Sequence, residues 1–360
     1  MRELNVELGV RSYPILLGST AEWLPQLAAK IAGRKCLLVT DENVRRAGHP
    51  ERLLAALESI SNVDCTLCTL PAGEEHKTLS SVEYICCSAV AAGLDRKGLM
   101  IAFSGGVAGD LTGLAAAIYM RGIDFIQLPS TLLAAVDSSV GGKTGADLPD
   151  GKNLVGAFHQ PLMVAMDMHT LTTLPESEWR NGLAEIVKYG VIMDLEFFAL
   201  LENNLDKLNS FDPDFYGEII HRSCQCKAQV VAGDEREQGR RAILNYGHTV
   251  GHAVEKLSNF ALPHGRAVAI GMAAAARLAV KMQLLAPEAE VRQNKLLSAL
   301  ALPVVLPENS CVKNIVEAMK SDKKNSGGKI TMVLPDAIGN VVIRRDIDEK
   351  LLLESLQELL

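Results

Sequence analysis

Histidines 248 and 252 stand four residues apart in the stretch Asn245-Tyr-Gly-His-Thr-Val-Gly-His252. On a helix that spacing projects both imidazoles from one face, where they can meet a divalent metal. It matches the histidine spacing of the HExxH zinc proteases, but residue 249 is Thr, so the general-base Glu of that motif is absent. Two further residues can complete a ligand set. His264 follows in Leu262-Pro-His-Gly-Arg266, placed to close over a helix end. Glu185 sits in Gly182-Leu-Ala-Glu-Ile-Val-Lys188, a carboxylate in an otherwise apolar helical turn, with Lys188 one turn later on the same face. A buried carboxylate is costly unless it is paired or bound to a metal. Two imidazoles and one carboxylate give the three protein ligands of a catalytic zinc with one open position.

Around these residues the sequence is dense in cations and amides. Asp137-Ser-Ser-Val-Gly-Gly-Lys143-Thr is a Gly-flanked turn carrying a carboxylate and an ammonium, and Gly151-Lys152-Asn153 follows it. Lys227 falls in a helical stretch, Arg241 precedes Asn245 by one turn, and Asp322-Lys323-Lys324 comes late. Taken singly, each reads as a solvated surface charge. Beside metal-type ligands they indicate a pocket for an anionic, polyhydroxylated substrate. Two glycine turns add to the inventory. Ser104-Gly-Gly106-Val-Ala-Gly109 follows a strand and opens a helix, the setting of a dinucleotide fingerprint, although Ser replaces its first Gly. Alone, that turn reads equally as a tight turn or as a phosphate cradle at a helix N-terminus. Pro71-Ala-Gly-Glu74-Glu-His-Lys77 is a second loop, either an ordinary polar turn or a carboxylate for ribose hydroxyls.

The elements that must position these groups change character along the chain. Lys35-Cys-Leu-Leu-Val-Thr40, Gly98-Leu-Met-Ile-Ala-Phe103 and Ile123-Asp-Phe-Ile-Gln-Leu128 read as buried strands, with a small-residue helical stretch after Asp110 to Met120 between the last two. Strand, helix, strand calls for a mostly parallel, Rossmann-like sheet with helices on its faces. From about residue 175 long helical periodicities take over, at Glu178 to Lys188, Phe215 to Ala232 and Arg266 to Leu284. Pro161 and Pro175 punctuate the change, which puts a domain boundary near residue 165. Lys329-Ile-Thr-Met-Val-Leu334 reads as a late strand and Asp346 to Leu360 as a terminal helix. Two domains also suit the 360 residues, at roughly 150 residues per domain, and a cleft between domains is the expected place for a small-molecule site.

Composition narrows the function classes. Aromatics make up only 4% of the chain and the formal net charge is −7, which argues against a nucleic-acid surface. The N-terminal stretch has no charged leader ahead of a long apolar run, and apolar runs such as Leu114 to Met120 are too short to span a bilayer. Cys65 and Cys68 form a CxxC in a strand-like run with no second pair at zinc-finger spacing, so free thiols in a reducing cytoplasm are expected.

Six motifs in order carry a resemblance to one family. They are PAGEEHK at Pro71 to Lys77, GGVAGDLTG at Gly105 to Gly113, VDSSVGGKT at Val136 to Thr144, GKNLVGAFHQP at Gly151 to Pro161, GLAEIVKYG at Gly182 to Gly190, and LNYGHTVGHAVE at Leu244 to Glu255. Over essentially its whole length the chain resembles the 3-dehydroquinate synthases, the sugar phosphate cyclases of the shikimate pathway. The resemblance implies an NAD-binding α/β domain over 1–165, a mostly α-helical metal- and substrate-binding domain over 166–360, and a homodimer. It implies conversion of 3-deoxy-D-arabino-heptulosonate 7-phosphate to 3-dehydroquinate and phosphate. The steps would be transient oxidation by NAD, phosphate elimination, re-reduction and intramolecular aldol closure.

By motif position, Glu185, His248 and His264 would hold zinc or cobalt. Asp41, Asn43, Glu74, Lys77, Gly105, Gly106, Val107, Asp110, Ser130, Thr131 and Thr173 would line the NAD site, with Lys143 and Lys152 serving both cofactor and substrate. Lys143, Asn153, His252 and one of Lys323 and Lys324 would meet the phosphate, with the partner subunit's Arg121. Lys227 and Arg241 would meet the carboxylate, and Asp137, Lys188 and Asn245 the hydroxyls. On this reading the histidine pair splits, His248 to the metal and His252 to the substrate. Three positions depart from the family pattern: Ser104 for Gly, Asp147 for Asn, and Arg266 for Glu beside the metal shell. The alternatives are another sugar phosphate cyclase, a polyol dehydrogenase of the same fold, or a non-catalytic NAD- or metal-binding relative.

Overall fold

The computed structural model describes residues 1–59, 63–320 and 330–360. By contacts the chain divides into two compact units, one of Met1–Pro175 with Lys227–Arg236, the other of Glu176–Cys226 with Glu237–Leu360. The division falls beyond the cut near 165 read from the sequence. It also assigns a stretch from the helical half to the first unit.

The first unit is built on strands β1 (Arg2–Val6), β2 (Tyr13–Leu17), β3 (Lys35–Asp41), β4 (Asp64–Leu70), β5 (Leu99–Ser104) and β6 (Asp124–Pro129), the hairpin of β7 (Lys143–Leu148) and β8 (Gly151–Phe158), and β9 (Val164–Met166). Its main sheet runs β1-β2-β9-β6-β5-β3-β4 and is parallel except for the antiparallel β1–β2 pair. Helices α1 (Thr20–Ile31), α2 (Glu42–Arg46), α3 (His49–Glu58), α4 (Leu79–Ala91) and α5 (Gly106–Ile118) connect strands, and α6 (Met168–Leu171) follows the last of them. The apolar runs become central strands because both sheet faces are covered. Leu37 and Val39 of β3 join one core cluster with Met100 and Phe125, whereas Cys36 and Leu38 join the opposite one with Leu99 and Ile101. The expected Rossmann-like α/β unit is therefore observed. The β7–β8 hairpin is an addition, since its Gly-, Lys- and Asn-rich sequence reads as loop; Ala146 enters the core beside α5.

The second unit is mostly helical, as expected: α7 (Glu176–Met193), α8 (Leu195–Glu202), α9 (Leu205–Asn209), α10 (Pro213–Gly233, whose end belongs to the first unit), α11 (His248–Leu257), α12 (His264–Lys281), α13 (Pro287–Ala299), α14 (Val312–Lys320) and α15 (Glu349–Gln357). Strands β10 (Met332–Ala337) and β11 (Asn340–Arg344) form a hairpin, of which only the first strand was expected. Helix α7 is buried from Asn181 to Ile192, the mark of a helix enclosed on every side. Helix α12 is rich in buried Ala, and its Gly271 lies so close to the Gly247 carbonyl that a Cβ there would collide with it. Small residues thus let α11 and α12, the two histidine-bearing helices, approach closely. The cysteines are free thiols, and no helix among the described residues is long and apolar enough to cross a membrane.

Candidate active site

Glu185 lies in the middle of α7 with no solvent exposure, and one of its oxygens meets two imidazoles. Oε1 is 3.6 Å from Nε2 of His248 and 3.7 Å from Nε2 of His264, while Oε2 pairs with Nζ of Lys188. The ligand atoms of Glu185, His248 and His264 all lie within 4.8 Å of one another. Zinc bonds of about 2.0–2.1 Å in a tetrahedron put donors roughly 3.3–3.4 Å apart, so the three need close only slightly around an ion. Two nitrogens and one carboxylate oxygen suit zinc or cobalt. Burial opposes a charge on His264, yet hydrogen bonds and charge from Glu185 and Glu255 raise its pKa to about 9. Such a site favours a cation.

The helices explain how this set is held. His248 begins α11 after Gly247, and its Nδ1 lies 3.0 Å from the Tyr246 carbonyl, which turns Nε2 toward Glu185. His264 begins α12, whose first turn is fastened to α7: the Gly265 N–H donates to the Asn181 side chain, one turn before Glu185. Gly265 is required there, because a Cβ would run into the Asn181 backbone. His252 stands one turn beyond His248, with ring centroids 5.2 Å apart. It forms a second, overlapping group with Glu255 and His264. The first group fits an ion better, because it leaves Glu255 against Nδ1 of His264, where a carboxylate orients a metal-bound imidazole. Sequence reading missed Asn181 and Glu255. A signal for Glu255 was present, since it is three residues after His252 and seven after His248 and so shares their helix face.

In the same unit, the 3₁₀ turn Arg240–Asn245 carries Arg241, which is buried, and Asn245, whose Nδ2 donates to Glu237 at 2.8 Å. Arg266 is half-buried in the first turn of α12, where a cation is disfavoured by the helix dipole. Lys323 and Lys324 lie outside the described residues.

In the first unit, the candidate cofactor residues gather after the C-terminal ends of parallel strands, where ligands bind in open α/β sheets. Asp41 ends β3 and caps α2 through the N–H groups of Asn43 and Val44. Glu74 follows β4 and pairs with Lys152 of the hairpin at 3.0 Å. Gly105, Gly106 and Val107 follow β5 at the N-terminus of α5, which no side chain caps and whose first turn holds no acid. Open N–H groups there suit a pyrophosphate. Ser130 and Thr131 follow β6, and Thr173 lies after α6, bonded to His49 at 2.8 Å. Ser104, the residue in place of Gly, ends β5 without a positive φ, so its backbone did not require glycine.

Two ion pairs complete this unit. Lys77 and Asp110 are in contact at 2.6 Å. Burial pushes both groups toward neutrality, but Asp110 and Glu74 hold the Lys77 ammonium above its ordinary range. Lys227, on α10, donates to Oδ1 of Asp137 at 2.7 Å and to its carbonyl at 2.6 Å. Asp137 lies in the π-helical turn Ala134–Ser138, whose irregular hydrogen bonding is common at functional sites. Asp147, another departure, accepts the N–H of Asn153 at 2.7 Å and so braces that residue at φ 53. Met120 and Arg121 also have positive φ, a conformation that costs non-glycine residues energy. Lys143 opens β7 with its side chain exposed.

Comparison with known proteins covers both parts of the chain. Residues 67–181 match the family profile described as 3-dehydroquinate synthase N-terminal, and residues 182–325 the profile described as 3-dehydroquinate synthase C-terminal. A 3-dehydroquinate synthase of Nostoc punctiforme is 45% identical over 359 residues, 98% of each chain. Among solved structures, the 2-epi-5-epi-valiolone synthase of Streptomyces hygroscopicus subsp. jinggangensis, with NAD+ and Zn2+ bound, is similar with a TM-score of 0.89 and 29% identity, over 98% of this chain and 97% of that one. A 2-deoxy-scyllo-inosose synthase complexed with carbaglucose-6-phosphate, NAD+ and Co2+ gives 0.88 and 26%, over 100% of both chains.

Proposed function

The chain belongs to the 3-dehydroquinate synthase family, and from that premise we propose that it turns 3-deoxy-D-arabino-heptulosonate 7-phosphate into 3-dehydroquinate and phosphate. In class it is a phosphate-eliminating carbon–oxygen lyase of the shikimate pathway. The observation that carries this reading is the enclosed Glu185 carboxylate facing Nε2 of both His248 and His264. A buried acid and two convergent imidazoles are a metal-ligand set, and Glu185 and His248 stand in two of the family motifs.

Glu185, His248 and His264 would hold zinc or cobalt, and the loops at Asp41, Glu74, Gly105 to Val107 and Ser130 would hold NAD. When bound, the metal supplies Lewis acidity toward an alcohol oxygen, and the nucleotide supplies a reversible hydride acceptor. All other work falls to the chain. Lys188 is paired with Glu185, so its ammonium is fixed beside the ligand set, where it can hold a substrate hydroxyl. Lys227, braced twice by Asp137, offers a positioned cation for the substrate carboxylate, with Arg241. Asn153, held by Asp147, would meet the phosphate with Lys143 and His252, and Lys152 would link that group to the cofactor through Glu74. Once a ketone stands next to the carbon that loses its proton, that proton is acidic and phosphate can depart, with the departing phosphate itself able to act as base. The side chains orient the sugar and screen its charge. We place the enzyme in a homodimer whose partner subunit's Arg121 reaches the phosphate.

The test is substrate choice. Protein loaded with NAD and zinc should release phosphate from the heptulosonate phosphate and none from glucose 6-phosphate. Release only from glucose 6-phosphate would move the chain to another sugar phosphate cyclase.

A further inference from the structure

Both metal-facing imidazoles present Nε2 to the same oxygen of Glu185, but their rear nitrogens have different partners. Nδ1 of His248 faces the Tyr246 carbonyl at 3.0 Å, a neutral backbone acceptor. Nδ1 of His264 faces Oε2 of Glu255 at 3.3 Å, a carboxylate that is 3% exposed. Each acceptor requires a proton on Nδ1, which leaves the Nε2 lone pair for the metal side. The carboxylate does more than the carbonyl can. It draws the Nδ1 proton toward itself, makes Nε2 a stronger donor, and adds a negative charge that offsets an ion otherwise balanced by Glu185 alone, since Glu185 is already shared with Lys188.

Position points the same way. Glu255 lies on α11 one turn beyond His252 and two beyond His248, whereas His264 opens the next helix after a connection of a few residues. That connection contains Asn259 and Phe260, both at positive φ. His264 therefore hangs at the end of an irregular turn. Asn181 fixes the backbone at Gly265, while Glu185 faces the front of the ring and Glu255 its rear nitrogen. Without Glu255 the ring loses the contact at its rear nitrogen that sets its rotation, although the helix start stays in place.

We propose that Glu255 is a positioning residue for the metal, setting the orientation and donor strength of His264 without ligating the ion. The inference rests on the metal reading of Glu185, His248 and His264.

The experiment uses the full chain, stripped of metal and titrated with zinc against a chromophoric chelator, for wild type, Glu255→Gln, Glu255→Asp and Glu255→Ala. Loss of the carboxylate in Glu255→Ala should weaken zinc binding on the order of 10- to 100-fold. Glu255→Gln, which keeps an acceptor oxygen but no charge, should fall between Ala and wild type, and Glu255→Asp should recover part of the loss. The visible absorption of cobalt-loaded Glu255→Gln should also shift, because the ring moves relative to the ion. A merely structural role would lower the melting temperature of the metal-free variants while leaving zinc affinity and the cobalt spectrum of Glu255→Gln at wild-type values, and that result overturns the proposal. Glu255→Gln decides the matter if the Ala variant does not fold. Two zinc ions per wild-type chain, one lost with Glu255, would make the residue a ligand in the group with His252 and would equally overturn it. Failure of wild type to bind zinc removes the metal reading itself. Zinc binding with no phosphate release removes the proposed reaction while leaving the comparison of variants intact.

Discussion

The side chain of Asn181 accepts a 2.5 Å hydrogen bond from the backbone N–H of Gly265, and so ties the start of α12 to the helix that carries Glu185. One side chain thereby fixes the separation of two candidate metal ligands that are far apart in sequence. Asn181→Ala should leave that N–H without its partner, lower stability by about 1–2 kcal/mol and weaken zinc binding. Chemical denaturation of the metal-free protein and chelator competition read the two effects separately. Unchanged zinc affinity would show that α12 holds its place without this tie.

His248 and His252 are expected to part company on mutation. His248→Ala should abolish zinc retention through gel filtration, because it removes a donor 3.6 Å from the Glu185 oxygen. His252→Ala should keep zinc and raise the KM for the phosphorylated substrate. Metal lost from His252→Ala but kept by His248→Ala would mean that the ion sits in the overlapping group of His252, Glu255 and His264, and equal loss in both would mean that the pair is not split between metal and substrate.

Lys77 and Asp110 form a pair with 6% and 15% side-chain exposure, so either charge left alone is expensive. Lys77→Met should cost about 3–5 kcal/mol in metal-free, NAD-free protein. Adding Asp110→Asn to it should restore most of the loss, since the stranded carboxylate is then gone. A double-mutant cycle by urea denaturation checks this, and strictly additive losses would show that the two groups act independently.

The thiols offer a test of burial and its pH dependence. Thiolate is the reactive form, and burial pushes Cys36 up to about 11 and Cys65 up to about 12. At pH 8 iodoacetamide should modify the exposed Cys87 and Cys311 while Cys36 and Cys65 stay unmodified. Raising the pH increases the thiolate fraction at every site, so the contrast should narrow only well above neutrality. Peptide mapping by mass spectrometry reads the pattern, and rapid labelling of Cys65 at pH 8 would contradict it.

How much of this was legible in the sequence depends on which physical signal each residue carries. Strands β3, β5 and β6 were readable because a strand covered on both faces is a continuous apolar run. Helices α7, α10 and α12 were readable from periodicity over many turns. The β7–β8 hairpin was not, because Gly, Lys and Asn in its strands carry loop chemistry and the pairing depends on packing against α5. Strand β11 is short and half-buried, and it takes its form from β10. Within the site, Glu185 stood out as a carboxylate in an apolar turn, and His248 by its four-residue spacing from His252. Asn181 and Glu255 read as ordinary helix polars, because what distinguishes them is a tertiary contact. The contact between Lys227 and Asp137 spans 90 residues, and no local pattern announces it.

The measurement that bears most directly on the central claim is phosphate release by purified, metal-stripped protein after zinc and NAD are restored. With 3-deoxy-D-arabino-heptulosonate 7-phosphate as substrate, phosphate should appear in step with 3-dehydroquinate, absorbance at the NADH band should show no net rise, and removal of zinc should stop both. No phosphate release after metal and NAD have demonstrably bound would contradict the account, as would lasting NADH accumulation in place of cyclised product.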